Sequence, residues 1–215
     1  MSKINQDTMR QHIVELLAAK KQRKFVETVE LQIGLKDYDP EKDKRFQGSI
    51  KLPNVPKPRM KVCVIGNASH CQQAKEAGVP CIDVDGLKKF NKDRKLIKKW
   101  AKPYCTLIAS DQLMKMIPRL LGNVLVKMGK FPVQMTDNEK VVDKVAEVKG
   151  TVRFQLKKVL CMGTAVATCD HTNEQIRQNI NMSINFLVSL LKKGWQNIKS
   201  LHIKTSMSSS LKIYG

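Results

Sequence analysis

The hydrophobic period changes twice along this chain, and those changes limit its possible folds more than any other feature. Between Asp7 and Lys21 the apolar residues Met9, Ile13, Leu16 and Leu17 recur at helical spacing. The period then drops to two. From Phe25 to Leu35, Val29, Leu31, Ile33 and Leu35 face one way, while Thr28, Glu30 and Gln32 face the other. That pattern predicts a strand with one face on a core. After a charged turn over Lys36–Arg45, Phe46, Gly48, Ile50 and Leu52 alternate again, which predicts a hairpin-like return. Pro53, Pro56 and Pro58 follow, and such a cluster continues neither a helix nor a central strand.

The middle of the chain has a different rhythm. Short strands are expected at Lys61–Ile65, Cys81–Val84 and Tyr104–Ala109. Between them lie a helix over Ala68–Ala77, stopped by Gly78 and Pro80, and a basic helix over Leu87–Ala101. In the second helix Leu87, Phe90 and Ile97 point inward, and Lys88, Lys92, Lys95 and Lys99 point outward. Strand–helix alternation of this kind predicts a parallel sheet covered by helices. Leu113–Val126 is apolar and interrupted by Pro118, and Asn138–Val148 reads as a last short helix closed by Gly150.

Beyond Gly150 the two-residue period returns in Val152, Phe154 and Leu156, followed by a strand over Cys161–Thr168. Thr172 and Gln175 form a capping box. The helix it opens carries Ile176, Ile180, Ile184, Leu187 and Leu191 on one face and is expected to end at Gly194. Leu201 and Ile203 give a final strand. The expected fold class is therefore α/β in two domains. An α+β domain is built from both chain ends (1–60 and 150–215), and an α/β domain (61–149) is inserted into it. Connections at Pro53–Met60 and near Gly150 would permit hinge motion and limit tumbling.

Charge narrows the partners. Thirty-nine Lys and Arg against 19 Asp and Glu give +20 on a chain that is 42% hydrophobic. The excess is +5 over 1–60, +8 over 61–149 and +7 over 150–215, so no detachable basic arm carries it. A foldable chain with this self-repulsion calls for a polyanion, and nucleic acid is the first candidate. No apolar run approaches the ~18 residues of a membrane span. The N-terminus lacks the apolar core of a signal peptide, so no membrane partner is expected, and a cytosolic or nuclear location is. The six cysteines show no C-x-x-C spacing. Cys63, Cys81, Cys105 and Cys161 sit in apolar runs and are expected to be buried, reduced thiols. No metal or cofactor is expected.

Lys24-Phe25-Val26-Glu27-Thr28-Val29-Glu30-Leu31 resembles the first-strand motif of the universal large-subunit ribosomal protein family that builds the mobile stalk beside the tRNA exit site, the L-one family. Tyr38-Asp39-Pro40, Lys44-Arg45-Phe46, Leu52-Pro53, Ile117-Pro118-Arg119-Leu120-Leu121-Gly122, Gly129-Lys130-Phe131-Pro132 and Gly150-Thr151-Val152-Arg153-Phe154-Gln155 are similar to its eukaryotic L-ten-a branch. The resemblance runs from about Met9 to Tyr214 in one order. It implies that the inserted domain is a Rossmann-like three-layer α/β domain and that the first domain binds ribosomal RNA. The family's RNA surface carries over onto Lys24, Phe25, Thr28 and Glu30. Its C-terminal Ser-Thr-Met-Gly element falls on Thr205-Ser206-Met207-Ser208. Met207 alone is unchanged, Ser206 keeps a hydroxyl, and Ser208 replaces a glycine that leaves the backbone open to RNA. The implied protein is a non-enzymatic constituent of the large subunit that assists release of deacylated tRNA. It would work in the cytosolic ribosome after nucleolar transit. Implied partners are large-subunit rRNA, transient exit-site tRNA, other ribosomal components and, as in some family members, its own messenger RNA.

Phe25 shares parity with the core face of its strand and could pack there or on an RNA sugar or base. Glu30 is unusual on a phosphate-binding protein and suits 2′-hydroxyls or base amino groups as donors. Lys157, Lys158, Lys199 and Lys204 are expected phosphate contacts. The basic face of Leu87–Ala101 is either a contact for a second RNA, such as tRNA, or a solvated surface. Several motifs fall short. Gly122–Lys130 lacks P-loop spacing and the following Ser/Thr. Val64-Ile65-Gly66-Asn67 lacks the later glycines of a dinucleotide fingerprint. Asp37, Asp39, Glu41 and Asp43 lack the turn glycine and terminal Glu of an EF-hand. A ribosome-assembly factor of the same fold acting on precursor rRNA is the alternative, and such relatives carry long basic extensions that this chain lacks.

Overall fold

The structure is a computed structural model that describes residues 4–43 and 45–215, so Lys44 of the Lys44-Arg45-Phe46 motif lies outside the described residues. The fold is mixed α/β. Helix α1 (Gln6–Ala18) starts where the Asn5 side chain accepts the amides of Asp7 and Thr8, and it buries Met9, Ile13 and Leu16. Strands β1 (Thr28–Leu35) and β2 (Gln47–Lys51) follow. Next come β3 (Val62–Ile65), α2 (Ala68–Glu76), β4 (Cys81–Ile82), α3 (Val84–Lys88), α4 (Arg94–Ala101) and β5 (Thr106–Ser110). Three short helices, α5 (Asp111–Met114), α6 (Ile117–Leu121) and α7 (Val124–Lys127), lead to β6 (Val133–Met135) and α8 (Val141–Gly150). The chain ends with β7 (Thr151–Gln155), β8 (Cys161–Thr168), α9 (Asn173–Leu190), a 3-10 turn (Gly194–Asn197), β9 (Ile198–Thr205) and β10 (Leu211–Tyr214).

The chain folds into two compact units, one taking the chain ends up to Pro58 and from Gly150, the other taking Arg59–Lys149. In the first unit the antiparallel sheet has the order β10-β9-β1-β8, with β1 central. The strict alternation of β1 puts Val29, Leu31, Ile33 and Leu35 into a core with Ile176, Ile180, Ile184 and Leu187 of α9 and Met9, Ile13 and Leu16 of α1. The polar parity of β1 is left half-exposed. β2 does not return along β1, as the alternation suggested. It pairs with β7 in a separate two-stranded sheet, Ser49 opposite Arg153. Alternation specifies a face and not a partner, and the inward face of β2 is shaped for α9. A Cβ on Gly48 would lie 2.9 Å from both Leu190 and Phe186.

The second unit holds a parallel sheet of order β4-β3-β5-β6. Cys63, Ile65, Leu107 and Ala109 enter one core with Leu87, Ile97 and Leu121. Val62, Val64, Ile108 and Met135 enter another with Ala74, Val141 and Val145. Both faces are thus covered by helices, which is why these strands read as unbroken apolar runs. The expected single helix over Leu87–Ala101 is two. Asn91 and Lys92 take left-handed φ of 43° and 61°, and Asp93 then caps α4 through the Lys95 amide at 2.8 Å. β4 is also shorter than expected, because Val84 already belongs to α3. α9 ends at Leu190 with Leu191 extended, four residues before Gly194. β6 and β10 carry no sequence signal strong enough to have been expected.

Among the described residues all six cysteines are free thiols. Cys63, Cys71 and Cys169 are buried, Cys81 is half-buried, and burial pushes the Cys63 thiol up to about 12. Cys105 and Cys161 are exposed, against expectation. Both stand at strand beginnings, where the pattern of the run does not yet describe burial.

Candidate nucleic-acid interface

One end of β1 assembles most of the expected RNA residues. Thr28 pairs with Thr168 of β8, and Val29 pairs with Thr205 at the end of β9. The chain then turns through Ser206–Ser208. The Ser206 hydroxyl accepts the Thr28 amide at 3.2 Å and shares a 3.0 Å hydrogen bond with the Thr28 hydroxyl. Residues 178 positions apart are thereby held as one surface. Ser208 closes the turn: its hydroxyl accepts the Thr205 amide at 2.9 Å and donates to Ser209 O at 2.9 Å. Its backbone is not left-handed, so a side chain here costs no strain and supplies a cap that glycine lacks.

Phe25 is 51% exposed and Met207 60%. The core-packing option for Phe25 is ruled out, because β1 begins only at Thr28 and strand parity does not extend to residue 25. Lys24 and Phe25 line an open cleft of about 720 Å³ with Gln22 and Arg23. Glu30 is half-buried, accepts the Gln32 side-chain amide at 3.0 Å, and lies opposite Lys204 across the β1–β9 ladder. Exposed apolar side chains together with hydroxyls, a carboxylate and lysine suit RNA, whose bases stack and whose 2′-hydroxyls both donate and accept.

Lys157, Lys158 and Lys199 do not join this group. Cys161 pairs with Gly34, and Ser200 also pairs with Gly34, so these three exposed lysines sit at the other end of β1. Six residues of strand at about 3.3 Å each separate the ends by about 20 Å. Lys157 borders a groove of about 480 Å³ with Arg153, Gln155 and Gly163.

Sequence reading missed Glu27. It is 3% exposed, and because it stands just before β1, no strand pattern in the sequence marks it as buried. Hydrogen bonds from the Thr205 hydroxyl, from Arg23 and from the Met207 amide hold its pKa below the usual carboxylate value despite burial. Arg23 Nε lies 2.8 Å from Glu27 Oε1. No group of three His, Cys, Asp or Glu is placed to hold a metal among the described residues. His70 and Ser110 share a buried 2.7 Å hydrogen bond that belongs to the parallel-sheet unit and not to this surface.

The profile described as the ribosomal protein L1p/L10e family matches residues 16–209. The chain belongs to that family. Its members include the large ribosomal subunit protein uL1 of Oryza sativa subsp. japonica, 53% identical over 216 residues and the full length of both chains. The protein of that name from Drosophila melanogaster is 52% identical over 215 residues, 99% of each chain. The one from Entamoeba histolytica is 54% identical over 214 residues, all of both chains. The family match spans both the β1 entrance and the Ser206–Ser208 turn.

Proposed function

We propose that this chain is a structural constituent of the large ribosomal subunit that binds large-subunit rRNA through the Thr28–Met207 end of β1, forming the mobile stalk at the tRNA exit site. It is not an enzyme. The observation that carries the RNA surface is the Thr28–Ser206 hydrogen bonding, which supports reading exposed Phe25 and Met207, on segments from opposite ends of the chain, as one surface. The unit containing this surface serves as the discontinuous RNA-binding α+β domain, 1–60 with 150–215. The parallel sheet covered on both faces supports reading 61–149 as a Rossmann-like three-layer domain inserted into it. Exposed Lys88, Lys92, Lys95 and Lys99 would meet exit-site tRNA transiently. Its own messenger RNA would bind the Thr28–Met207 surface where it imitates the rRNA. Function on the cytosolic ribosome follows assembly in the nucleolus. The assembly-factor alternative is not favoured, since the full-length relatives are named as large-subunit proteins.

The test is filter binding of an rRNA stalk fragment to a folded T28A/M207A double variant. A loss of at least about tenfold, or about 1.4 kcal/mol, is expected. Unchanged affinity would remove this surface from the reading. Crosslinks confined to precursor rRNA would instead favour the assembly factor.

A further inference from the structure

We infer that Arg23 is a phosphate-contacting residue whose guanidinium is set in place by the buried carboxylate of Glu27. The inference rests on the RNA surface proposed above. Glu27 is buried at the start of β1 and has three neighbours with distinct jobs. The Thr205 hydroxyl and the Met207 amide, at the end of β9 and in the turn beyond, both favour its charged form. Arg23 donates from the segment that enters β1, Nε to Oε1 at 2.8 Å. Glu27 thus stands where the segment carrying Phe25 enters β1, next to the Thr28–Ser206 contact that brings in the segment carrying Met207.

Arg23 is engaged through Nε, and among the described residues its two terminal nitrogens meet no hydrogen-bond acceptor. Its side chain is 32% exposed, and the residue lines the open cleft with Gln22, Lys24 and Phe25. A guanidinium is a rigid planar fork. Fixing Nε on a buried acceptor fixes the direction of the remaining donors and lowers the entropy lost when they bind a phosphate oxygen pair. Glu27 itself lies too deep to touch RNA, so it acts as a positioning residue. An isolated buried carboxylate would be costly. Here Arg23 pairs with it, and the ion pair still leaves the edge of the guanidinium that carries the two terminal nitrogens for a ligand.

The experiment measures affinity of the full chain for the rRNA stalk fragment against salt concentration, for wild type, R23Q, R23K, E27Q, T205V and the R23Q/E27Q pair, each with its thermal midpoint. R23Q should bind about five- to tenfold more weakly at 0.1 M salt, with a log–log salt slope shallower by about 0.7–0.9. R23K keeps the charge without the fork and should recover only part of the affinity. E27Q should reproduce the slope change of R23Q, and the pair should add nothing to it. If E27Q does not fold, T205V removes one donor to the same carboxylate and should weaken binding while leaving the R23Q slope change in place. A wild-type slope in R23Q, or full additivity in the pair, overturns the inference. The T28A/M207A variant separates the two readings. If it loses no affinity, the surface itself is wrong. If it loses affinity while R23Q keeps the wild-type slope, only the role of Arg23 falls.

Discussion

Phe25 and Glu27 share a parity, yet one is 51% and the other 3% exposed. Parity holds only inside a strand, and both residues precede β1. Glu27 is held by Arg23 at 2.8 Å, and Thr205 and Met207, from the far end of the chain, favour its charged form. Its lowered pKa has a consequence for acid stability. The charged form is favoured by folding, so its contribution is complete above the unfolded carboxylate pKa and is lost as pH falls through the lower folded one. The thermal midpoints of wild type and E27Q should therefore converge as the pH drops below about 4.3. A constant gap down to the acid end would show that Glu27 is not charged in the native state. The cysteines offer a second check. Exposed Cys105 and Cys161 should react with a thiol reagent at neutral pH, while Cys63, buried with its thiol at about 12, should stay unmodified until unfolding. Peptide mass mapping reads both outcomes.

Helix α9 was legible almost entirely, because its two signals are local. The Thr172–Gln175 capping box is present in both directions, and the Ile176, Ile180, Ile184, Leu187 stripe is buried. Replacing Ile180 by Ala should lower the unfolding free energy by about 2–5 kcal/mol. T172A should cost only about 1 kcal/mol. Denaturant titration that ranked these two the other way would contradict the burial assigned to the stripe. Asn179 was not legible. It is fully buried, its side chain donates to Val166 O at 2.7 Å and to Asn54 O at 2.9 Å, and it accepts the Asn54 amide at 3.3 Å. It thereby pins the beginning of the proline segment to the core. The break between α3 and α4 was hidden for a different reason. Asn and Lys continue a helix at modest cost, and nothing in their identity announces left-handed backbone at Asn91 and Lys92.

The charge of +20 is distributed over the chain rather than held on an arm, and RNA binding should carry that signature. Log affinity should fall steeply and linearly with log salt. Neutralising Lys157, Lys158 and Lys199 together should reduce the slope by about 2–3 for any RNA that reaches the far end of β1, while T28A/M207A should lower affinity for the stalk fragment at every salt concentration. Equal effects of both variants on an unrelated duplex would erase the distinction between the two ends. Most element types, the apolar faces, the alternating character of the middle segment and the family are legible in the chain itself, because period, caps and motifs are written over a few residues; β6, β10 and the break between α3 and α4 are not. Only folding shows that β2 pairs with β7, that Thr28 meets Ser206, that Lys157, Lys158 and Lys199 stand at the end of β1 about 20 Å from Thr28, and that Glu27 is buried. Each of these needs residues far apart in the chain, and a local pattern states which way a side chain faces without naming what it will face.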